Sequence, residues 1–105
     1  MVIREWRGRA SQAKADAYPA HFRNVVLPEL RGMPGFLGAY LTRRELNGNI
    51  EFLVLTRWRS IDAIQDFARG DIEEAVVEPD AVAALVEFDA TVQHYEVIED
   101  ARVAG

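Results

Sequence analysis

"FLGAYLTRRELNGNIEFLVLTRW", residues 36–58, decides how this chain folds. Two strand-like runs, Phe36 to Leu46 and Ile50 to Trp58, flank Asn47-Gly48-Asn49. Asn-Gly is the strongest short-range signal for a tight antiparallel reversal, because both positions tolerate positive φ. The stretch therefore predicts a β-hairpin turning at 47–49. Its second arm says more. Phe52, Val54 and Trp58 point to one face, Leu53 and Leu55 to the other. A sheet with one wet face alternates apolar and polar residues, and this strand does not. Helices can cover one face only, so the pattern predicts a homodimer in which two sheets face each other. The plainer alternative is a central strand that is apolar throughout.

Outward from the hairpin, "RGMPG" (Arg31 to Gly35) is a stop and turn. Before it, Ala15, Tyr18, Phe22 and Val25 recur at helical spacing behind Ser11, a suitable N-cap. Pro19 means that this helix begins near Tyr18 or bends there, and Pro28 disturbs its far end. Val2 to Gly8 reads as the first strand. After the hairpin, Ser60 caps the short helix "IDAIQDFA", which Gly70 ends. Pro79 suits the first position of another helix, "PDAVAALVEF", and "ATVQHYEV" (90–97) is a fourth strand. The expected fold is α+β: a ferredoxin-like βαββαβ domain over residues 1–105 with a four-stranded antiparallel sheet.

Laid end to end, these segments resemble the antibiotic biosynthesis monooxygenase family, of the dimeric α/β-barrel superfamily. The resemblance is carried by "IREWRG", "LPELRGMPGFLGAYLTRR", "EFLVLTRWRSIDAIQDFA", "EEAVVEPDAVAALVEFD" and "VQHYEV". It implies a dimeric α/β barrel and an activity drawn from a mixed set. Some members oxidise polycyclic phenols or quinols with O₂ and no cofactor; others degrade heme. The heme-degrading branch carries an Asn in the first strand, a Trp in the helix after the third strand and a His further on. Those places hold Arg7, Phe67 and Val77 here, so the resemblance points away from heme degradation.

Composition narrows the field further. The 105 residues include no cysteine, and the formal net charge is −5. Thiolate catalysis, disulfides and cysteine-ligated metals are excluded. An acidic chain is a poor partner for nucleic acid or an anionic membrane. No apolar run approaches the roughly 20 residues of a membrane span, and a cytoplasmic protein is expected. The two histidines lie in different elements without ligand spacing, so no metal site is expected.

Oxygenation without a cofactor requires a base, a desolvated pocket for a flat substrate and donors for a developing oxyanion. His94 is one candidate base; it shares a strand face with Glu96, which can orient its ring. His21, at the edge of the Tyr18/Phe22/Val25 stripe, is the other. The ordinary reading of each is a histidine bonded within the sheet or half-exposed beside it. Trp6, Tyr18, Phe22, Tyr40, Trp58 and Phe67 are candidates to line a pocket for a small aromatic substrate, or are simply core. Arg4 and Arg57 can donate to an oxyanion, unless ion pairs with Glu5 or Glu51 across a dimer seam absorb them. The function expected is a cofactor-independent monooxygenase, free of metal and flavin, acting on a phenolic or quinol-like compound. A non-catalytic dimer that binds a small molecule or serves another enzyme is the alternative. An isomerase or decarboxylase would use the same base without oxygen.

Overall fold

The computed structural model describes residues 1–104. Its strands are β1 (Val2–Ser11), β2 (Phe36–Leu46), β3 (Asn49–Trp58), β4 (Glu87–Phe88) and β5 (Gln93–Glu96). All pair antiparallel in one sheet, with β2, β3 and β1 side by side. The outer edge of β1 is shared: β4 pairs with Gly8 and Arg9, and β5 with residues 2–5. The helical segments lie between β1 and β2 and between β3 and β4, the ferredoxin-like order.

The hairpin forms where its turn chemistry places it. Leu46 pairs with Asn49 around a two-residue turn, with Asn47 at φ 52° and Gly48 at φ 80°. The last strand differs from its reading. Residues 90–97 form only the four-residue β5, and α4 (Pro79–Ala84) stops short so that Glu87 and Phe88 become a separate strand. Leu85 leaves the helix with extended dihedrals, and Val86 N–H donates to the Arg9 carbonyl at 2.8 Å. Pairing with β1 overrides the local helical preference. The first strand also runs on to Ser11, three residues beyond its expected end, because β3 continues opposite it.

The first helical stretch is α1 (Ala17–His21), a π-helical segment (Phe22–Val26) and α2 (Leu27–Arg31). Ser11 precedes a 3₁₀ turn and makes no side-chain cap. Pro19 falls within the first turn, where its missing N–H has no helical partner to lose. The Pro28 ring would crowd the carbonyl of Asn24, and the π turn that widens the helix lies there. The widened turn shifts the inward stripe. Tyr18 and Phe22 are followed by Val26 and Leu30, while Val25 is left 40% exposed.

Ser60 Oγ accepts from Ala63 N–H and caps α3 (Ile61–Ala68). Its left-handed C-terminal residue is Arg69, at φ 55°, one residue before the glycine expected to end it. Gly35 is required where it stands. Its φ is +85°, and a Cβ there would lie 2.6 Å from the Ala63 Cβ. The helices cover the sheet face that carries Val2, Arg4, Ala10, Phe52, Val54, Thr56 and Trp58, all buried. On the opposite face Ile3, Leu53 and Leu55 are half-buried, and Tyr40 is 60% exposed. That face also carries charge: Glu51 is held by Arg9 at 3.4 Å and Arg44 at 2.9 Å, and Glu5 by Arg7.

Candidate functional site

Between the first helical stretch and the sheet lies a cavity of about 60 Å³. Its helical wall is Tyr18, Phe22, Val26 and Leu30, aligned by the π turn. The sheet supplies Arg4 and Trp6 from β1 and Val54 and Thr56 from β3. Phe67 of α3 and Val76 and Val92 from irregular segments close it. The wall is almost wholly apolar, and its aromatic rings touch: Trp6 lies 5.6 Å from Tyr18, centroid to centroid. Burial raises the Tyr18 phenol well above its ordinary value, so it stays protonated. The volume suits a few waters and falls well below the roughly 300 Å³ at which ligand pockets begin.

Arg4 is the one charged group in this wall, and it is 5% exposed. Its Nη1 donates to the Ile72 carbonyl at 2.5 Å, and its Nη2 to the Glu74 carbonyl at 2.8 Å. The guanidinium also stands 5.8 Å from the Phe67 ring centroid, a cation–π contact. No carboxylate pairs with it among the described residues: Glu5 and Glu51 are engaged by Arg7, Arg9 and Arg44 on the other face. Burial lowers its pKa to about 10, and it remains a cation at neutral pH. A buried charge held by carbonyl and imidazole dipoles and an aromatic face is only partly repaid for its lost hydration.

His94 joins this cation directly. β5 pairs in register with β1 so that Arg4 faces His94, and Nη1 lies 2.9 Å from the imidazole Nε2. A guanidinium has no lone pair to give, so Nε2 is the acceptor and the ring proton sits on Nδ1. Burial first, then the Arg4 charge, lower the His94 pKa against a small opposing pull from Glu73. The ring is held neutral. Its orienting partner is thus Arg4, and Glu96 is exposed to solvent.

The other candidates fall in three places. Trp6, Tyr18, Phe22 and Phe67 line the cavity. Trp58 lies outside it, fully buried, and donates from Nε1 to Thr56 Oγ1 at 2.8 Å. Tyr40 stands on the opposite face of the sheet, as does Arg57, which donates to the Leu37 carbonyl at 3.2 Å. His21 packs 6.2 Å from the Tyr18 ring and does not reach the cavity. Val26, Leu30, Thr56, Val76 and Val92 were not singled out from sequence. Thr56 shares the alternation of Phe52 and Val54, which was signal enough; Val76 lies in a segment without periodicity.

A family model described as antibiotic biosynthesis monooxygenase matches residues 1–79. Among solved structures, a Bacillus cereus protein assigned to that class superposes with TM-score 0.69 at 15% identity, covering 100% of this chain and 98% of the other. A heme-degrading protein of Mycobacterium tuberculosis, in heme-free form, gives 0.59 at 25%, covering 100% and 98%. A Streptomyces coelicolor monooxygenase in complex with the ligand nanaomycin D gives 0.59 at 14%, covering 99% and 92%. No curated protein matches the chain.

The residues present do not fit a heme. Iron porphyrin needs an axial donor such as His, Cys, Met or Tyr. The cavity wall offers only Tyr18, which burial keeps protonated, and His94 Nε2 is turned to Arg4. Among the described residues no three His, Asp or Glu converge on a metal position.

Proposed function

The chain belongs to the antibiotic biosynthesis monooxygenase family, and from that premise we propose that it is a cofactor-independent monooxygenase acting on a phenolic or quinol-like small molecule. The observation that carries this reading is a neutral histidine bonded to a buried cation at the wall of an aromatic cavity. His94 is the base and Arg4 the oxyanion donor. As Arg4 turns to the substrate oxygen, Nε2 is released to take the phenolic proton, and the electron pair stays on the phenolate. The electron-rich ring then passes an electron to O₂, and the resulting radicals join as a carbon–oxygen bond. His94 returns its proton to the peroxide. Loss of the ring hydrogen with hydroxide releases water and leaves the quinone, so one oxygen atom enters each product. The aromatic wall holds the ring flat and excludes water.

Oxygen uptake with a panel of quinols and polycyclic phenols tests this. The expected result is uptake matched one-to-one by quinone; a panel that gives nothing above buffer refutes it. The rival is a non-catalytic dimer that binds a small molecule or assists another enzyme. That protein would be protected by ligand against thermal unfolding while forming no product.

The same reading makes the protein a cytoplasmic homodimer joined through the open sheet face. Leu55 sits at the middle of that face, opposite Glu5 on one side and Tyr40 on the other. Leu55→Glu places a charge where apolar area would be buried, and it is expected to convert a sedimenting dimer to a monomer at micromolar concentration. A wild-type protein that sediments as a monomer, or a variant dimer of unchanged affinity, contradicts this interface.

A further inference from the structure

We propose that the cavity selects a substrate carrying a carboxylate beside its phenolic hydroxyl, with Arg4 as the specificity-determining residue. The proposal rests on the reading of the cavity as the substrate site. Its evidence is the way in which Arg4 is satisfied. The Nη1/Nη2 fork spans two carbonyl oxygens, of Ile72 and Glu74, two residues apart in the turn that the Glu74 N–H closes onto the Asp71 carbonyl at 3.1 Å. A carboxylate presents two oxygens to the same fork, and does so with a full negative charge. The carbonyls take one N–H from each Nη but leave the cation, 5% exposed in an apolar wall, without a counterion among the described residues. The ligand that gains most from this site is therefore flat, apolar and singly anionic.

Geometry adds the second substituent. His94 Nε2 lies 2.9 Å from the same Nη1 that reaches Ile72. Because His94 stands behind Nη1 and not in the cavity lining, a hydroxyl on the ring carbon next to a carboxylate held by the fork is the substituent that would meet the imidazole. The segment that gives way also covers the cavity: Val76 lines it, and the segment is otherwise fastened by the Ala75 N–H to Ala90 carbonyl bond (2.9 Å) and the Val92 N–H to Glu73 carbonyl bond (2.8 Å). Exchange of the two Arg4 bonds for a carboxylate loosens the cover at the point where the ring must pass.

Calorimetric titration under nitrogen, where no oxidation proceeds, tests the proposal with 3-hydroxy-2-naphthoate and its uncharged analogue 3-hydroxy-2-naphthamide. The carboxylate is expected to bind at least about tenfold more tightly. Arg4→Gln, checked for native circular dichroism, should bring the ratio close to one, and Arg4→Lys should retain part of it. Equal affinity of the two probes for the wild type overturns the proposal, as does binding of neither. If Arg4→Gln fails to fold, the wild-type ratio and the Arg4→Lys ratio decide. The two readings separate cleanly. A charge preference without oxygen uptake in air refutes the oxygenase alone, whereas oxidation of neutral quinols without a charge preference refutes only the carboxylate.

Discussion

Trp58→Ala is expected to lower stability by about 3–5 kcal/mol and the melting temperature by roughly 12–25 °C. Trp58 is wholly buried, and its ring sits between Phe36 at 5.4 Å and Phe67 at 5.5 Å. Truncation removes the largest side chain of the cluster formed with Val2, Leu30 and Ile64, and rigid strands on either side cannot collapse into the gap. It also leaves Thr56 Oγ1 without the indole donor. Trp58→Phe separates the two contributions, because it retains a ring and gives up the hydrogen bond, for an expected loss of about 1–2 kcal/mol from the bond. Denaturant unfolding of both variants measures this. A loss below about 2 kcal/mol for the alanine variant would show that the cluster repacks.

The second large effect concerns turnover. His94→Gln keeps an acceptor for Arg4 and removes the base, so kcat/KM should fall by about 10²–10⁴ while the fold is kept. The pH profile supplies the sharper test. Burial and the neighbouring guanidinium depress the His94 pKa below its ordinary 6.5, so the acid limb of kcat/KM must lie below that value. Arg4→Gln removes one of the two causes and should move the limb upward. Stability follows the same sign. In the window below pH 6.5 the unfolded chain binds the proton that the folded chain refuses, so stability is full above the window and falls as the pH drops through it. An acid limb above 6.5, or a His94→Gln variant of undiminished rate, refutes the assignment.

The hairpin, the Ser60 cap and the helix start at Pro79 were legible because each is set by residues within four positions of one another. The split edge of the sheet was not. Glu87 and Phe88 continue a helical pattern, and only the distant Gly8 and Arg9 draw them into a strand. The Val25-to-Val26 shift was hidden for a related reason: helical spacing assumes 3.6 residues per turn, and the π turn at Phe22–Val26 breaks that assumption. Of the candidates named from residue type, Trp6, Tyr18, Phe22 and Phe67 line the cavity, and His94 lies outside its lining, bonded to Arg4. What no local pattern reveals is that Arg4 meets no carboxylate among the described residues, since ion pairing depends on which side chains other strands present.

The pairing of Arg4 with His94 spans 90 positions of the chain. β1 is an inner strand, and its three partners β3, β4 and β5 all arrive from far along the sequence, whereas β2 and β3 meet across a two-residue turn. Loop-closure entropy therefore opposes the β1–β5 contact more than any other in the sheet. The base and the cation come together only when the slowest, most remote pairing is in place. A chain that has collapsed around its hairpin but not yet seated β5 has no His94 beside Arg4. Assembly of the Arg4–His94 pair and completion of the sheet are the same event in this topology.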